Sequence, residues 1–571
     1  MATLKGYVVD ALPKRGGLRV FLDGFREVSV RTTFPIYVKA DDPERLYEHP
    51  AVKEVHEEDW SSFEGKLRLC RVELEDLGAL SYFRRRLPIY NLLPSPISQA
   101  LFRLNMPPLR LIEVGWNGAE LLQPLNSLEF PEVSWVEVKR YDWFGPYRSG
   151  KFYRLCRNGT IEREGEGEPE AVGDLAYCDG RCPRVKAAFK VEGGAERVWL
   201  PGLKGLMERS LASRSLPREI AYSSIGKSLT INEAWVAMER RFAVPELKVN
   251  VEDGKTLSQL MDDDKAGLMF FPRPGIYDNA YQLDFVSMYP SIIVSRNISP
   301  ESIQEAATAA GSIGLYSSRS ELGIVPEAIR RLIERRETLK VMDRERADAV
   351  KLMLVASFGY LGYRNSKFGR VEAYEQVTKE ARKAMRVAME VAEGWGFSII
   401  HGIIDSLMVQ GPEERLDDML ADVMSATRLK VRVDEVFDWV AFTFNEQGEP
   451  HPQRYFGRTR GGGLKARGML RSNQPNLVKW FLAEVMQRAV QEMTGAEAKR
   501  AVLDLLPSLE EKYVSLSRSS SPLAFVMEIK GTSYIRGRSG FYEAIRYVDH
   551  DPDYYAAWVL RVSKELRRWF S

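Results

Sequence analysis

Apolar and polar positions follow three distinct rhythms in the middle of this chain. The first is Leu283-Asp284-Phe285-Val286-Ser287-Met288-Tyr289-Pro290-Ser291-Ile292-Ile293, an apolar run broken by one acid and closed by a turn sequence. It predicts a buried β-strand ending on a carboxylate, then a turn whose backbone N–H groups are free. The second covers Phe397 to Val409, where two apolar stretches flank Gly402 and Asp405 is the single acid. That pattern predicts two strands around a glycine turn with an acid at the tip. The third is helical. Glu327 to Lys340 has helical composition, and Arg336, Lys340 and Arg344 recur every fourth residue, which places them on one face. A turn near Arg346 and Asp348 leads into a second predicted helix, from about Ala347 through Phe358.

Length and composition bound the rest. With 571 residues the chain has material for roughly four domains. Hydrophobic residues at 44% and charged residues at 28% describe a globular protein. No apolar run reaches the ~18 residues of a membrane span, and Met1-Ala2-Thr3-Leu4-Lys5 does not open a signal peptide. An intracellular protein, cytoplasmic and nucleoid-associated, without a membrane partner, is the expectation. Four cysteines exclude a disulfide framework, and Cys178 and Cys182 form a lone C-x3-C with no histidine nearby.

The net charge of +2 is uninformative, but its distribution is not. The thirty residues from His451 to Trp480 contain no Asp or Glu, yet include Arg454, Arg458, Arg460, Lys465, Arg467, Arg471 and Lys479, with Tyr455 and Phe456 interleaved. So one-sided a segment reads as a footprint for a phosphate backbone. Gly461-Gly462-Gly463-Leu464-Lys465 lacks the spacing of a nucleotide P-loop. The alternating glutamates Glu162 to Glu170 read as a flexible solvated loop, and Asp262-Asp263-Asp264 as a surface turn. A strand-end carboxylate suits a hard divalent cation, the turn after it can cradle phosphates, and paired basic helices suit an anionic nucleotide tail.

The stretch around Asp284 closely resembles the first palm motif of family B DNA polymerases, D-x-x-S-L-Y-P-S-I. Their second motif, K-x3-N-S-x-Y-G-x-x-G, is similar to Lys351 through Gly362, with Lys351, Gly359 and Gly362 in register. Val355, Ala356 and Phe358 stand where the family has Asn, Ser and Tyr. Their Y-G-D-T-D-S hairpin resembles the segment around Asp405, except that the first acid is Ile403 and the Thr is Ile404. Arg454-Tyr455 and Lys465-Ala466-Arg467-Gly468 resemble the thumb entry, with Gln453 in place of a lysine. The segment where the family carries a 3′-5′ exonuclease is shortened, and Ser134-Trp135-Val136-Glu137-Val138 offers one acid in place of the D-I-E motif. The whole pattern most resembles the short, motif-degenerate archaeal branch of the family.

The resemblance implies an α+β multidomain, right-hand polymerase. Its parts would be an N-terminal domain (1–110), a reduced and inactive exonuclease-like domain (111–214), palm (215–300 and 363–450), fingers (301–362) and thumb (451–571). It implies template-directed addition of dNTPs to a primer 3′-end without proofreading, at low fidelity and with tolerance of damaged templates. By the same resemblance Asp284 and Asp405 are the catalytic carboxylates and hold two Mg²⁺, or Mn²⁺, with the Phe285 backbone. Ser287, Met288, Tyr289, Arg336, Lys340 and Lys351 bind the dNTP, with Tyr289 excluding a 2′-hydroxyl. Val355, Ala356, Phe358 and Gly359 form the base-pair pocket. Arg454, Tyr455, Arg458, Arg460, Lys465, Arg467 and Arg471 hold primed DNA, and other replication or repair proteins are candidate partners. The rival class is a catalytically silent primer-template-binding protein, against which the retained acids argue, since unpaired buried carboxylates cost stability.

Overall fold

The computed structural model describes residues 3–144, 149–193, 202–248, 254–258, 267–272, 275–303, 321–444 and 450–570. Asp262, Asp263 and Asp264 lie outside them. The chain forms two compact units, Met1–Leu260 with Tyr289–Val377, and Met261–Met288 with Thr378–Ser571.

The first unit begins with two five-stranded sheets. One contains the meander Leu4–Lys14, Gly17–Leu22 and Arg26–Arg31, and the other the hairpin Val52–Ser62 and Gly65–Leu74 with Phe34–Val38 beside it. Val8, Val20, Phe34, Ile36, Val72 and Leu74 are wholly buried in their shared core. A third sheet, mixed in direction, has Trp135–Phe144 at its centre. Its buried face, including Leu175, Phe189 and Val191, packs on Leu203, Leu206 and Met207 of helix α1 (Leu203–Ser213). At the edge of this sheet Thr160–Glu166 is a strand, not the loop its charges suggest. Cross-strand ion pairs Arg157–Glu162 and Arg154–Glu164 offset the like charges there.

Helix α2 (Ile225–Glu239) is buried along most of its length. Helix α3 (Met288–Ser295) enters the unit at Tyr289, and α4 (Ile324–Met342) and α5 (Arg344–Gly362) form an antiparallel pair before α6 (Val371–Gly394). Gly226 sets how closely α2 meets α5, because a Cβ there would fall 1.6 Å from the Tyr360 ring. The break between α4 and α5 falls at Asp343, three residues before the expected turn. Asp343 is extended (φ −160°, ψ 99°), and its side chain accepts the Arg346 N–H at 3.2 Å, as N-cap aspartates do. Arg346 is therefore a buried first-turn residue, and Arg344 belongs to the second helix instead of sharing a face with Arg336 and Lys340.

The second unit is built on a seven-stranded antiparallel sheet. Its strands are β1 (Met269–Phe270), β2 (Gly275–Phe285), β3 (Ser398–Ile403), β4 (Ser406–Gln410), β5 (Val431–Phe444), β6 (Pro450–Thr459) and β7 (Leu464–Arg467), in the spatial order β1-β3-β4-β2-β5-β6-β7. The sheet continues without interruption across residue 451, where a separate domain was expected. Three helices, Asn476–Ala489, Gly495–Ser519 and Pro552–Phe570, follow it around a core that includes Phe481, Val485, Leu506, Tyr555 and Leu566. The middle one starts at a capping box formed by Thr494 and Glu497. Among the described residues no helix is long and apolar enough to cross a membrane.

Candidate active site

Strand β2 carries its acid out of the core. Ala280, Tyr281, Gln282 and Leu283 are buried, Asp284 is half-exposed, and Phe285 is buried again. Asp284 lies directly across from Ser406 on β4 and from Arg432 on β5. The β3–β4 turn consists of Ile404 and Asp405, while Gly402 sits within β3. A glycine turn was the wrong expectation, because the β3–β4 register pairs Gly402 with Leu407 and Ile403 with Ser406. Ile404 takes a left-handed φ of 57°, a costly conformation for a β-branched residue. The Phe285 N–H donates to the Asp405 carbonyl at 2.8 Å, which ties the turn to the end of β2. Both carboxylates thus stand at one end of adjacent strands.

Burial raises the pKa of Asp405, and the Asp284 charge raises it further, partly offset by its own backbone and Arg467. Two anions close enough to perturb one another fit a divalent cation, which relieves the repulsion. Among the described residues no three His, Cys, Asp or Glu side chains converge. The chain's own donors would be these two carboxylates and the Phe285 carbonyl. That set suits Mg²⁺, which takes one or two carboxylates and completes its shell with water and substrate phosphate. The turn after Asp284 differs from expectation in one respect. The Phe285 and Val286 N–H groups are not free; they donate to the carbonyls of Asp405 and Lys430, at 2.8 and 2.9 Å. Ser287, in the same turn, has a left-handed φ of 49°, and Met288 is buried.

The first unit holds the other expected residues. On α4, Arg336 is half-buried and Lys340 is exposed, 2.5 Å from Glu337. On α5, Lys351, Val355 and Gly359 are all exposed at four-residue spacing and form one face, and Ala356 borders it. Val355 is 66% exposed, so this face has an apolar, unencumbered centre. Phe358 does not join it. Its ring is stacked between Tyr289, at 4.2 Å, and Tyr374, at 4.4 Å, and so braces Tyr289 instead of lining an open pocket.

The acid-free segment looks different once folded. Arg454 is buried and paired with Glu565 at 2.9 Å, and Tyr455 is buried against Phe437 and Phe442. Neither has the exposure that direct contact with DNA requires. Arg458 pairs with Asp438, Arg460 with Glu413 and Asp438, and Lys465 with Asp434 and Glu435. Strand β5 supplies most of the acids that the segment lacks. Arg467 and Arg471 are exposed.

Sequence reasoning also missed Glu208. Wholly buried on α1, it accepts Arg335 of α4 and, at 2.7 Å, Arg346 of α5, which fastens both helices to α1. Nothing in the sequence nearby marks it, because Lys204 one turn earlier is also charged and both arginine partners lie more than a hundred residues away.

A sheet that ends in two neighbouring carboxylates suits metal-assisted phosphoryl transfer. The model of DNA polymerase family B matches residues 236–437. A protein named DNA polymerase 2 from Saccharolobus solfataricus is 40% identical over this whole chain, which covers 88% of that relative. DNA polymerase 2 of Aeropyrum pernix is 26% identical over 43% of this chain and 33% of its own length. The structure of the family B DNA polymerase from Pyrobaculum calidifontis matches with a TM-score of 0.66 over 99% of both chains, at 16% identity, a likeness of fold. The chain belongs to DNA polymerase family B.

Proposed function

We propose that this chain extends primed DNA with only two acidic side chains at its reaction centre and without proofreading. Membership of family B makes it a DNA-directed DNA polymerase that works on a primed template with dNTPs. The observation that carries the finer reading is the placement of Asp284 and Asp405 at one end of adjacent strands, joined through the Phe285–Asp405 backbone hydrogen bond. Two bound Mg²⁺ ions would activate the primer 3′-hydroxyl and neutralise charge on the triphosphate. Asp284, Asp405 and the Phe285 carbonyl would hold them. Arg336, Lys340 and Lys351 would take the triphosphate. Tyr289, held by Phe358, would exclude a 2′-hydroxyl. The exposed Val355–Gly359 face offers shape and no side-chain hydrogen bonds to a nascent pair, which supports weak discrimination and tolerance of damaged templates. Arg460, Lys465, Arg467 and Arg471 remain candidates for the DNA backbone, while Arg458 is half-buried and held by Asp438.

The third sheet supports the absence of proofreading. Glu137, the acid at the expected exonuclease strand, accepts the Leu203 N–H at 2.6 Å and caps α1. Asp174 accepts the N–H groups of Gly24 and Ser134. These acids are already committed to holding the fold, whereas hydrolysis needs carboxylates available for metal.

Primer extension tests the reading. Incubated with a labelled primer-template, dNTPs and Mg²⁺ or Mn²⁺, the protein should extend the primer and leave a mismatched 3′-end undegraded. Binding without extension under either metal would sink it in favour of a silent primer-template-binding protein. Removal of the mismatched end would refute the proofreading claim alone.

A further inference from the structure

Directly across the sheet from Asp284 stands a cation that two-metal chemistry does not require. Arg432 is the cross-strand partner of Asp284 in the β2–β5 pairing, and Asp434 follows it on the same face of β5. The Arg432 Nη2 lies 3.1 Å from Asp284 Oδ2 and 3.4 Å from Asp434 Oδ1. Asp434 is also held by Lys465 of β7 at 3.1 Å, and Lys465 in turn lies 3.5 Å from Glu435. The face therefore carries an alternating row, Asp284, Arg432, Asp434 and Lys465, across three strands. The Arg432 side chain is 57% exposed and can rotate without disturbing the core.

A guanidinium nitrogen between two carboxylate oxygens holds the kind of position a metal cation would take, and it binds the oxygen that the metal needs. We infer that Arg432 is a tethered counter-ion that competes with the divalent cation for Asp284 and is handed to Asp434 when the cation binds. This inference rests on the reading of Asp284 as a metal ligand. In the metal-free protein the arrangement holds the Asp284 carboxylate in place. When the metal arrives, Asp434 gives the displaced charge somewhere to go, so the guanidinium is not driven against the incoming ion. Arg432 is thus a positioning residue that sets the metal concentration at which the site fills.

Mn²⁺ binding to the full-length protein, followed by electron paramagnetic resonance without DNA or nucleotide, tests this independently of turnover. Removing a positive charge this close to a divalent site should tighten binding, so R432Q is expected to bind Mn²⁺ roughly three- to tenfold more tightly than wild type. R432K keeps the charge and should stay within about twofold. D434N, which leaves the guanidinium to Asp284 alone, should weaken binding by roughly twofold or more. Opposite shifts from two neighbouring exposed residues are not what a loss of fold would give. Equal or weaker binding by R432Q overturns the inference, and an unchanged D434N overturns the hand-over to Asp434. If D284N binds Mn²⁺ as wild type does, or if neither wild type nor R432Q binds at millimolar metal, the reading of Asp284 as a ligand falls and this inference falls with it.

Discussion

Three helices of the first unit, α1, α4 and α5, meet at the Glu208 carboxylate. The side chain is wholly buried, and its two oxygens receive the Nε groups of Arg335 and Arg346, side chains that are 10% and 3% exposed. Arg110, buried beside them, has its pKa pushed down to about 10, by burial first and by the Arg335 charge second, while Glu208 acts in the opposite direction. The pocket is therefore already rich in positive charge, and Glu208 is its counter-charge. In E208Q two buried guanidinium groups lose their carboxylate. Removing one partner of a buried pair costs about 3–5 kcal/mol. In a unit of this size that corresponds to a fall in Tm of about 4–7 °C. Differential scanning calorimetry is the assay, with primer extension well below the transition as a second readout. Because Arg335 and Arg346 fasten α4 and α5 to α1, extension should fall before the unit melts. Replacing Glu208, Arg335 and Arg346 together with apolar side chains should recover part of the stability, because Arg110 is then the charge left in the pocket and no longer faces the Arg335 guanidinium. A single E208Q within about 1 kcal/mol of wild type would refute this reasoning.

Three smaller perturbations probe other links. Ile404 keeps a left-handed backbone beside Asp405 and is 39% exposed. I404N should raise stability by about 0.5–1 kcal/mol in urea unfolding, since Asn tolerates that conformation and little burial is lost. F358A removes both ring stacks that brace Tyr289, and ribonucleotide misincorporation should rise by up to about tenfold, measured by competing rNTP with dNTP. His401 is buried, with its pKa lowered by that burial and, less, by Arg467, against a hydrogen bond to the Phe270 carbonyl. The unfolded chain then binds more protons between the lowered native pKa and the ordinary value of 6.5, so stability should fall as pH drops below about 6.5. H401F should remove that part of the acid sensitivity, seen as a smaller drop in urea midpoint between pH 7 and pH 5 than in wild type. A wild-type and variant difference that does not change with pH would count against it.

The parts of this protein that were legible in its sequence are those fixed by neighbours in the chain. An apolar run that ends on Asp284 and a hairpin with Asp405 at its tip are local patterns, and both are where the residues indicate. The α4–α5 break was misplaced, although Asp343, three residues before Arg346, is an N-cap signal that could have located it. What remained hidden depends on pairing across strands and between helices. The basic segment 451–480 lacks acids in its own sequence, yet β5 lies alongside and supplies Asp434, Glu435 and Asp438. The amides after Asp284 looked free because their acceptors, Asp405 and Lys430, lie more than a hundred residues away. Arg432 and Glu208 gave no local signal, because each acquires its meaning only from the carboxylate or guanidinium that the fold sets against it.

In the proposed reading, Asp284 and Asp405 are sufficient as the acidic side chains of the reaction centre. Single-turnover incorporation of one dNTP onto a bound primer in Mg²⁺ tests it most directly, with wild type beside D284N and D405N. Wild type should incorporate measurably and each variant should lose at least about a thousandfold, with primer-template affinity within about twofold. Incorporation by either variant at a rate near wild type would contradict it.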